Sequence, residues 1–288
     1  MSKLKCGDHR VMLNGVQLFY SIRGTGPVLI AHCGGPGLDP RCWQGFSGIE
    51  DFATIVILHP RGSGLSAPAP SDAYYLSDYA SDLEALRIHL ELDAPIILGW
   101  SHGGMVAMNF ALNYPNSLCK MVLVSTGARI NEELRNIEES LRYFRNQPWY
   151  QESLDALKKS WASAQQSEAE SRKLWEKASK FYFAHFDERA LEYIKTTNRY
   201  RFADVPQKVF FEKELPTTDL RPRLPEIKVP TLVTVGRYDF LTPVIMAKEI
   251  VVLIANARLE VFESSGHYIF VEERERYCSI LREFISNQ

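Results

Sequence analysis

Ser101 stands in Gly99-Trp100-Ser101-His102-Gly103, preceded by the apolar run Ile96-Ile97-Leu98 and followed by the helix-compatible stretch Met105 to Leu112. A serine on a sharp turn between strand and helix points its hydroxyl out of the sheet, and the flanking glycines keep side chains clear of neighbouring backbone. The helix that follows presents the positive end of its dipole to developing negative charge. A serine hydroxyl is a weak nucleophile near neutral pH, so it needs a base and an acid that orients the base, in the chain order Ser, Asp, His for a nucleophile presented this way. Leu232-Val233-Thr234-Val235-Gly236-Arg237-Tyr238-Asp239 places an aspartate just beyond an apolar run, and Leu259-Glu260-Val261-Phe262-Glu263-Ser264-Ser265-Gly266-His267 places a histidine just beyond the next. Taken singly, Asp239 reads as a helix cap before Leu241-Thr242-Pro243 and His267 as an exposed loop histidine. Together and in this order they predict a triad for acyl transfer, with Ser101 as nucleophile, His267 as base and Asp239 as the orienting acid. That chemistry needs no metal and no organic cofactor. His9, His89 and His185 fall in the N-terminal arm, a helix and an inserted segment, and are poor rivals for the base.

A tetrahedral oxyanion needs two preorganised donors, each usually worth on the order of 3 kcal/mol. The N–H of His102, directly after the nucleophile, is one candidate. The other is the N–H of Gly35 in His32-Cys33-Gly34-Gly35-Pro36-Gly37, where Gly34, Pro36 and Gly37 shape the supporting loop. Cys33 has no assigned base in that loop and reads as packing.

These residues need a scaffold that brings distant loops together. Asn14-Gly15 between two apolar stretches, Val11 to Tyr20, predicts a β-hairpin. Strands are predicted at Val28 to Ala31, Thr54 to Leu58, Pro95 to Leu98, Met121 to Val124, Thr231 to Val235 and Leu259 to Phe262. Helical patterns lie between most of them, such as Leu76, Tyr79, Leu83, Leu86 and Leu90. Such alternation predicts an α/β fold with a largely parallel sheet covered on both faces, whose active site lies at the carboxyl ends of the strands. The alternation stops over residues 127–223, which are charged, aromatic and helical. Four amphipathic helices are expected there, marked by Leu134, Ile137, Leu141 and Phe144; by Leu154, Leu157 and Trp161; by Leu174, Ala178 and Phe181; and by Leu191 and Ile194. Residues 1–126 and 224–288 are thus expected to form the core domain, and 127–223 an inserted helical one.

The 33 basic and 35 acidic residues give a formal charge of -2 without a basic cluster, which argues against nucleic acid as a partner. The amino-terminal stretch lacks the apolar run of a secretory signal, and no stretch approaches the length of a membrane span. The five cysteines form no CxxC pair and read as free thiols of a reducing compartment, so a cytoplasmic location away from membranes is expected. Nothing in the pattern separates a monomer from a homo-oligomer.

Cys33-Gly34-Gly35-Pro36-Gly37, His59-Pro60-Arg61-Gly62-Ser63-Gly64-Leu65-Ser66, Gly99 to Gly103 and the inserted helices make nearly the whole chain resemble the proline iminopeptidases, a family of α/β-hydrolases. That family carries HGGPG after the third strand, D-x-R-G-x-G-x-S after the fourth, G-x-S-x-G at the nucleophile and a helical cap after the sixth strand. The resemblance implies an α/β-hydrolase fold with a mostly parallel eight-stranded sheet, helices on both faces and an inserted helical cap. By residue match it also implies Ser101, Asp239 and His267 as triad, Gly35 and His102 as oxyanion donors, and removal of N-terminal proline from short peptides. Three positions depart from the family: Cys33 replaces its histidine, His59 its aspartate and His102 the tryptophan often found after the nucleophile. Trimming a free N-terminus also needs carboxylates for the ammonium group; Glu188, Glu212 and Glu214 lie in the insertion, where solvent-facing charge is the competing reading. Esters, lactones and carbon–carbon bonds are alternative small-molecule substrates for the same triad, and a ligand receptor that has kept the fold is an alternative of another class. Aspartate-nucleophile chemistry, as in epoxide hydrolases, is disfavoured by the serine at 101.

Overall fold

The computed structural model of the protein describes residues 4–42, 48–130, 137–162, 168–200 and 202–286. Asn14 and Gly15 take positive φ of 47° and 75°, the turn geometry that matches the twist of two antiparallel strands. They join β1 (Gly7–Leu13) to β2 (Val16–Arg23). The sheet continues through β3 (Val28–His32), β4 (Thr54–His59), β5 (Ile96–Trp100), β6 (Lys120–Val124), β7 (Thr231–Gly236) and β8 (Ala257–Phe262). Its eight strands lie in the order β1-β2-β4-β3-β5-β6-β7-β8. β2 is antiparallel to both its neighbours, and every other pairing is parallel. The chain runs from β3 outward to β4 and then returns to β5 on the other side of β3. That reversal opens a crevice between the carboxyl ends of β3 and β5, where open α/β sheets place ligands.

Strand alternation assigns each side chain to a face. On β5, Ile97 joins a core with Leu83 and Leu86 of α1 (Leu76–His89), Val106 and Phe110 of α2 (His102–Asn113) and Ile250 of α8 (Val244–Leu253). Ile96, Leu98 and Trp100 point the other way, into a core with Tyr277 and Leu281 of α10 (Arg274–Ser286). Between β6 and β7 the described residues form no strand. They form α3 (Ile137–Leu141), α4 (Tyr150–Ala162), α5 (Glu168–Ala178), α6 (Glu188–Thr197) and α7 (Asp204–Val209), the last running on into a π-helical turn, Phe210–Glu214. A short helix α9 (Ile269–Glu272) precedes α10.

The insertion has its own apolar cluster, Leu141, Phe144, Leu157 and Phe181, which also takes in Phe240 from the loop after β7. Phe144 and Phe181 lie beyond the ends of α3 and α5, in tight 3-10 turns. Leu134 and the side chain of Trp161 lie outside the described residues. Among the described residues no helix is long and apolar enough to cross a membrane.

Candidate active site

Ser101 joins β5 to α2 with φ 54° and ψ -120°, a conformation costing about 1–3 kcal/mol for a residue with a side chain. Three hydrogen bonds hold it: its N–H donates to Val124 O at 2.8 Å, and its carbonyl accepts from Gly104 N at 2.9 Å and Thr126 Oγ1 at 2.7 Å. The turn is too crowded for side chains on either flank. A Cβ at Gly103 would lie 2.2 Å from His32 O, and one at Gly99 2.1 Å from Gly103 O.

Asp239 and His267 come from the loops after β7 and β8 and meet with Oδ2 2.8 Å from Nδ1, both buried. An ionised carboxylate only accepts, so the shared proton sits on Nδ1 and leaves Nε2 a lone pair. The imidazole ring lies 5.5 Å from the ring of Trp100, the residue before Ser101. Asp239 also accepts from Leu241 N and Thr242 N, closing the turn before α8; it does not cap that helix, whose N-cap is Pro243.

The glycine-rich loop closes the crevice on the β3 side. A Cβ at Gly34 would lie 2.7 Å from Ser101 Cβ, which places this loop against the serine. Gly35 has φ 56° and turns the chain so that Leu38 N donates to Gly35 O at 2.7 Å. Pro36 and Gly37 continue the loop, and Gly37 O accepts from Ala203 N of the insertion at 2.9 Å. As the first residue of α2, His102 has a backbone N–H with no acceptor inside the helix. Cys33 is buried and burial pushes its thiol up, away from the thiolate a nucleophile requires.

The departures from the family pattern have local explanations. His59 accepts from Leu65 N through Nδ1 at 3.0 Å, so a neutral imidazole supplies the lone pair that a carboxylate would supply. Arg61 of the same stretch forms a buried two-pronged pair with Asp82 of α1, both contacts 2.7 Å. His102 is buried beneath the turn at Ser101, 5.4 Å from the Tyr79 ring and 4.8 Å from that of Phe210. Burial pushes its pKa down to about 3, and that of nearby His32 to about 4.

Of the carboxylates in the insertion, Glu188 and Glu212 are exposed. Glu214 is buried and its Oε1 accepts from Leu76 N, at the start of α1, at 2.7 Å. The sequence reading missed the tie between the insertion and the histidine loop: His267 N donates to Tyr182 O at 2.7 Å, and Glu272 bridges both segments. Tyr182 also sets its ring 5.8 Å from the His267 ring, nearly perpendicular.

A family model described as the alpha/beta hydrolase fold matches residues 26–274. A proline iminopeptidase of Clostridium botulinum is 30% identical over 272 residues, covering 90% of this chain and 89% of that protein. One from Saccharolobus solfataricus is 27% identical over 291 residues, covering 94% and 89%. An esterase structure from Exiguobacterium antarcticum superposes with a TM-score of 0.75 at 21% identity, covering 96% of this chain and 99% of that one.

Proposed function

Because this chain belongs to the α/β-hydrolase family, and within it resembles the proline iminopeptidases over nearly its whole length, we propose that Ser101, His267 and Asp239 hydrolyse short peptides bearing an N-terminal proline. The observation that carries the triad is the 2.8 Å contact between Asp239 and His267, whose imidazole lies 5.5 Å from the ring of Trp100, the neighbour of a serine held at positive φ. Inserted helices, packed around an aromatic interior that includes Phe144, Trp149 and Phe181, act as a cap over the crevice. Free thiols, with Cys33 and Cys42 buried, favour a reducing compartment such as the cytoplasm as the place of work.

The reaction runs in two balanced halves. Ser101 Oγ attacks the carbonyl carbon while His267 Nε2 takes its proton, and the carbonyl electron pair moves onto oxygen between the N–H groups of Gly35 and His102. The carbon–nitrogen bond then breaks, and His267 returns its proton to the departing amine. Water attacks the resulting ester with His267 again as base; the Ser101 oxygen leaves and regains its proton, releasing a carboxylic acid.

A second reading is ester hydrolysis, favoured by the exposure of Glu188 and Glu212 and the engagement of Glu214, which leave the substrate ammonium without an assigned partner. One assay separates the two: prolyl p-nitroanilide, its N-acetylated form and short p-nitrophenyl esters, with Ser101→Ala in parallel. Serine-dependent release from the free-amine anilide, lost on acetylation, is expected. Turnover of esters alone would overturn the peptidase assignment and leave the triad standing.

A further inference from the structure

The loop that delivers His267 carries little apolar anchorage of its own and is held by hydrogen bonds from several segments, among them Tyr238 N after β7, which donates to Ser265 O at 3.0 Å. Glu273 accepts from Ser264 N at 3.0 Å and from Ser265 Oγ at 2.7 Å. Glu272, the last residue of α9, reaches in both directions. Its Oε2 accepts from Gly266 N at 2.7 Å, directly before the histidine, and its Oε1 accepts from Ala184 N at 2.8 Å and His185 N at 3.2 Å in the insertion. Just before those donors in the chain, Tyr182 O accepts the N–H of His267 itself. Arg189 of α6 closes the arrangement by donating to the Glu272 carbonyl at 3.3 Å. A single side chain thus supplies the acceptors for three backbone donors on two segments that are more than 80 residues apart in sequence.

We propose that Glu272 is a positioning residue for the reaction, fixing the backbone of residues 266–267 to the inserted segment so that His267 is held in register with Asp239. The proposal rests on His267 being the base. Glutamine is the informative replacement, because whichever side-chain oxygen becomes an NH₂ group, one donor then faces a donor: either Gly266 N, or Ala184 N and His185 N. The carbon skeleton and packing are unchanged, so a lost acceptor is the main difference.

The test is turnover of the full-length Glu272→Gln protein, expressed per active site titrated with a fluorophosphonate, alongside Glu272→Asp and His267→Ala. Glu272→Gln is expected to lower kcat about tenfold or more while KM stays within about twofold, and to slow phosphonylation of Ser101 in parallel. Glu272→Asp keeps the carboxyl group but is too short to span both segments, and should show the same split in milder form; it carries the test if the glutamine variant does not fold. A purely structural role would lower the melting temperature or the number of titratable sites and leave kcat per site unchanged, and kcat within twofold of wild type would overturn the proposal. An active His267→Ala protein would instead overturn the assignment of the base, and a dead His267→Ala beside a fully active Glu272→Gln would overturn the positioning role alone.

Discussion

Thr242 donates its hydroxyl to Asp239 Oδ2 at 2.8 Å, the same oxygen that faces His267 Nδ1. Leu241 N and Thr242 N occupy Oδ1, each at 3.0 Å, so the buried carboxylate is held by four donors and has one orientation toward the imidazole. Removing one donor from a buried charged acceptor costs about 1.5–3 kcal/mol. Thr242→Val should therefore lower kcat roughly tenfold or more with little change in KM, a split that steady-state kinetics on any turned-over substrate will read.

Asp239→Asn is a harsher change at the same contact. The asparagine amide can donate to Nδ1 and leave the proton on Nε2, the wrong nitrogen for accepting a proton from serine. The fold should survive, since an amide oxygen still accepts from Leu241 N and Thr242 N. kcat is expected to fall by about 10⁴ with near-normal circular dichroism, and a loss below tenfold would place the orienting acid elsewhere.

Gly34→Ala tests the closeness of the glycine-rich loop to Ser101, the proposed nucleophile. Its Cβ would lie 2.7 Å from Ser101 Cβ and 3.0 Å from the Trp100 ring, so either the loop or the serine must move. Displacing an oxyanion donor costs on the order of 10² in kcat. A loss of that size with an unfolding midpoint only a few degrees lower is the expected result.

Acid should destabilise the protein through its buried imidazoles. His32 and His102 have pKa values near 4 and 3 in the fold against an ordinary 6.5, because burial penalises the cation and neither Nε2 has a hydrogen-bond partner among the described residues. Below pH 6.5 the unfolded chain takes up these protons first, so the stability they confer is complete above that pH and is lost as pH falls toward about 4 and 3. Glu214 acts in the opposite sense: burial raises its carboxyl to about 7 from 4.5, so its contribution is complete below pH 4.5 and lost as pH rises through 7. Thermal melts should show His102→Met flattening the acid limb and Glu214→Gln gaining on wild type between pH 5 and 8.

Much of this arrangement is legible in the sequence because its signals are local. Asn14-Gly15 specifies its own turn, β3 and β4 end within a residue or two of their apolar runs, and each residue of the proposed triad lies just past a strand. What is not legible depends on distant partners. Nothing around Glu272 announces that it accepts from Ala184, 88 residues away, since backbone N–H groups have no sequence signature. The same holds for His59, whose lone pair matters only because Leu65 N is brought to it. Phe144 and Phe181 follow a helical spacing that predicts continuous helices, yet tertiary packing around Phe240 ends both in tighter turns.

The central claim is that Ser101 is the nucleophile, and peptide mapping after reaction with a fluorophosphonate tests it most directly. A single adduct on Ser101, formed in step with complete loss of hydrolysis and absent from a folded Ser101→Ala protein, is the predicted result. An adduct on another residue, or hydrolysis that persists in Ser101→Ala, would contradict it.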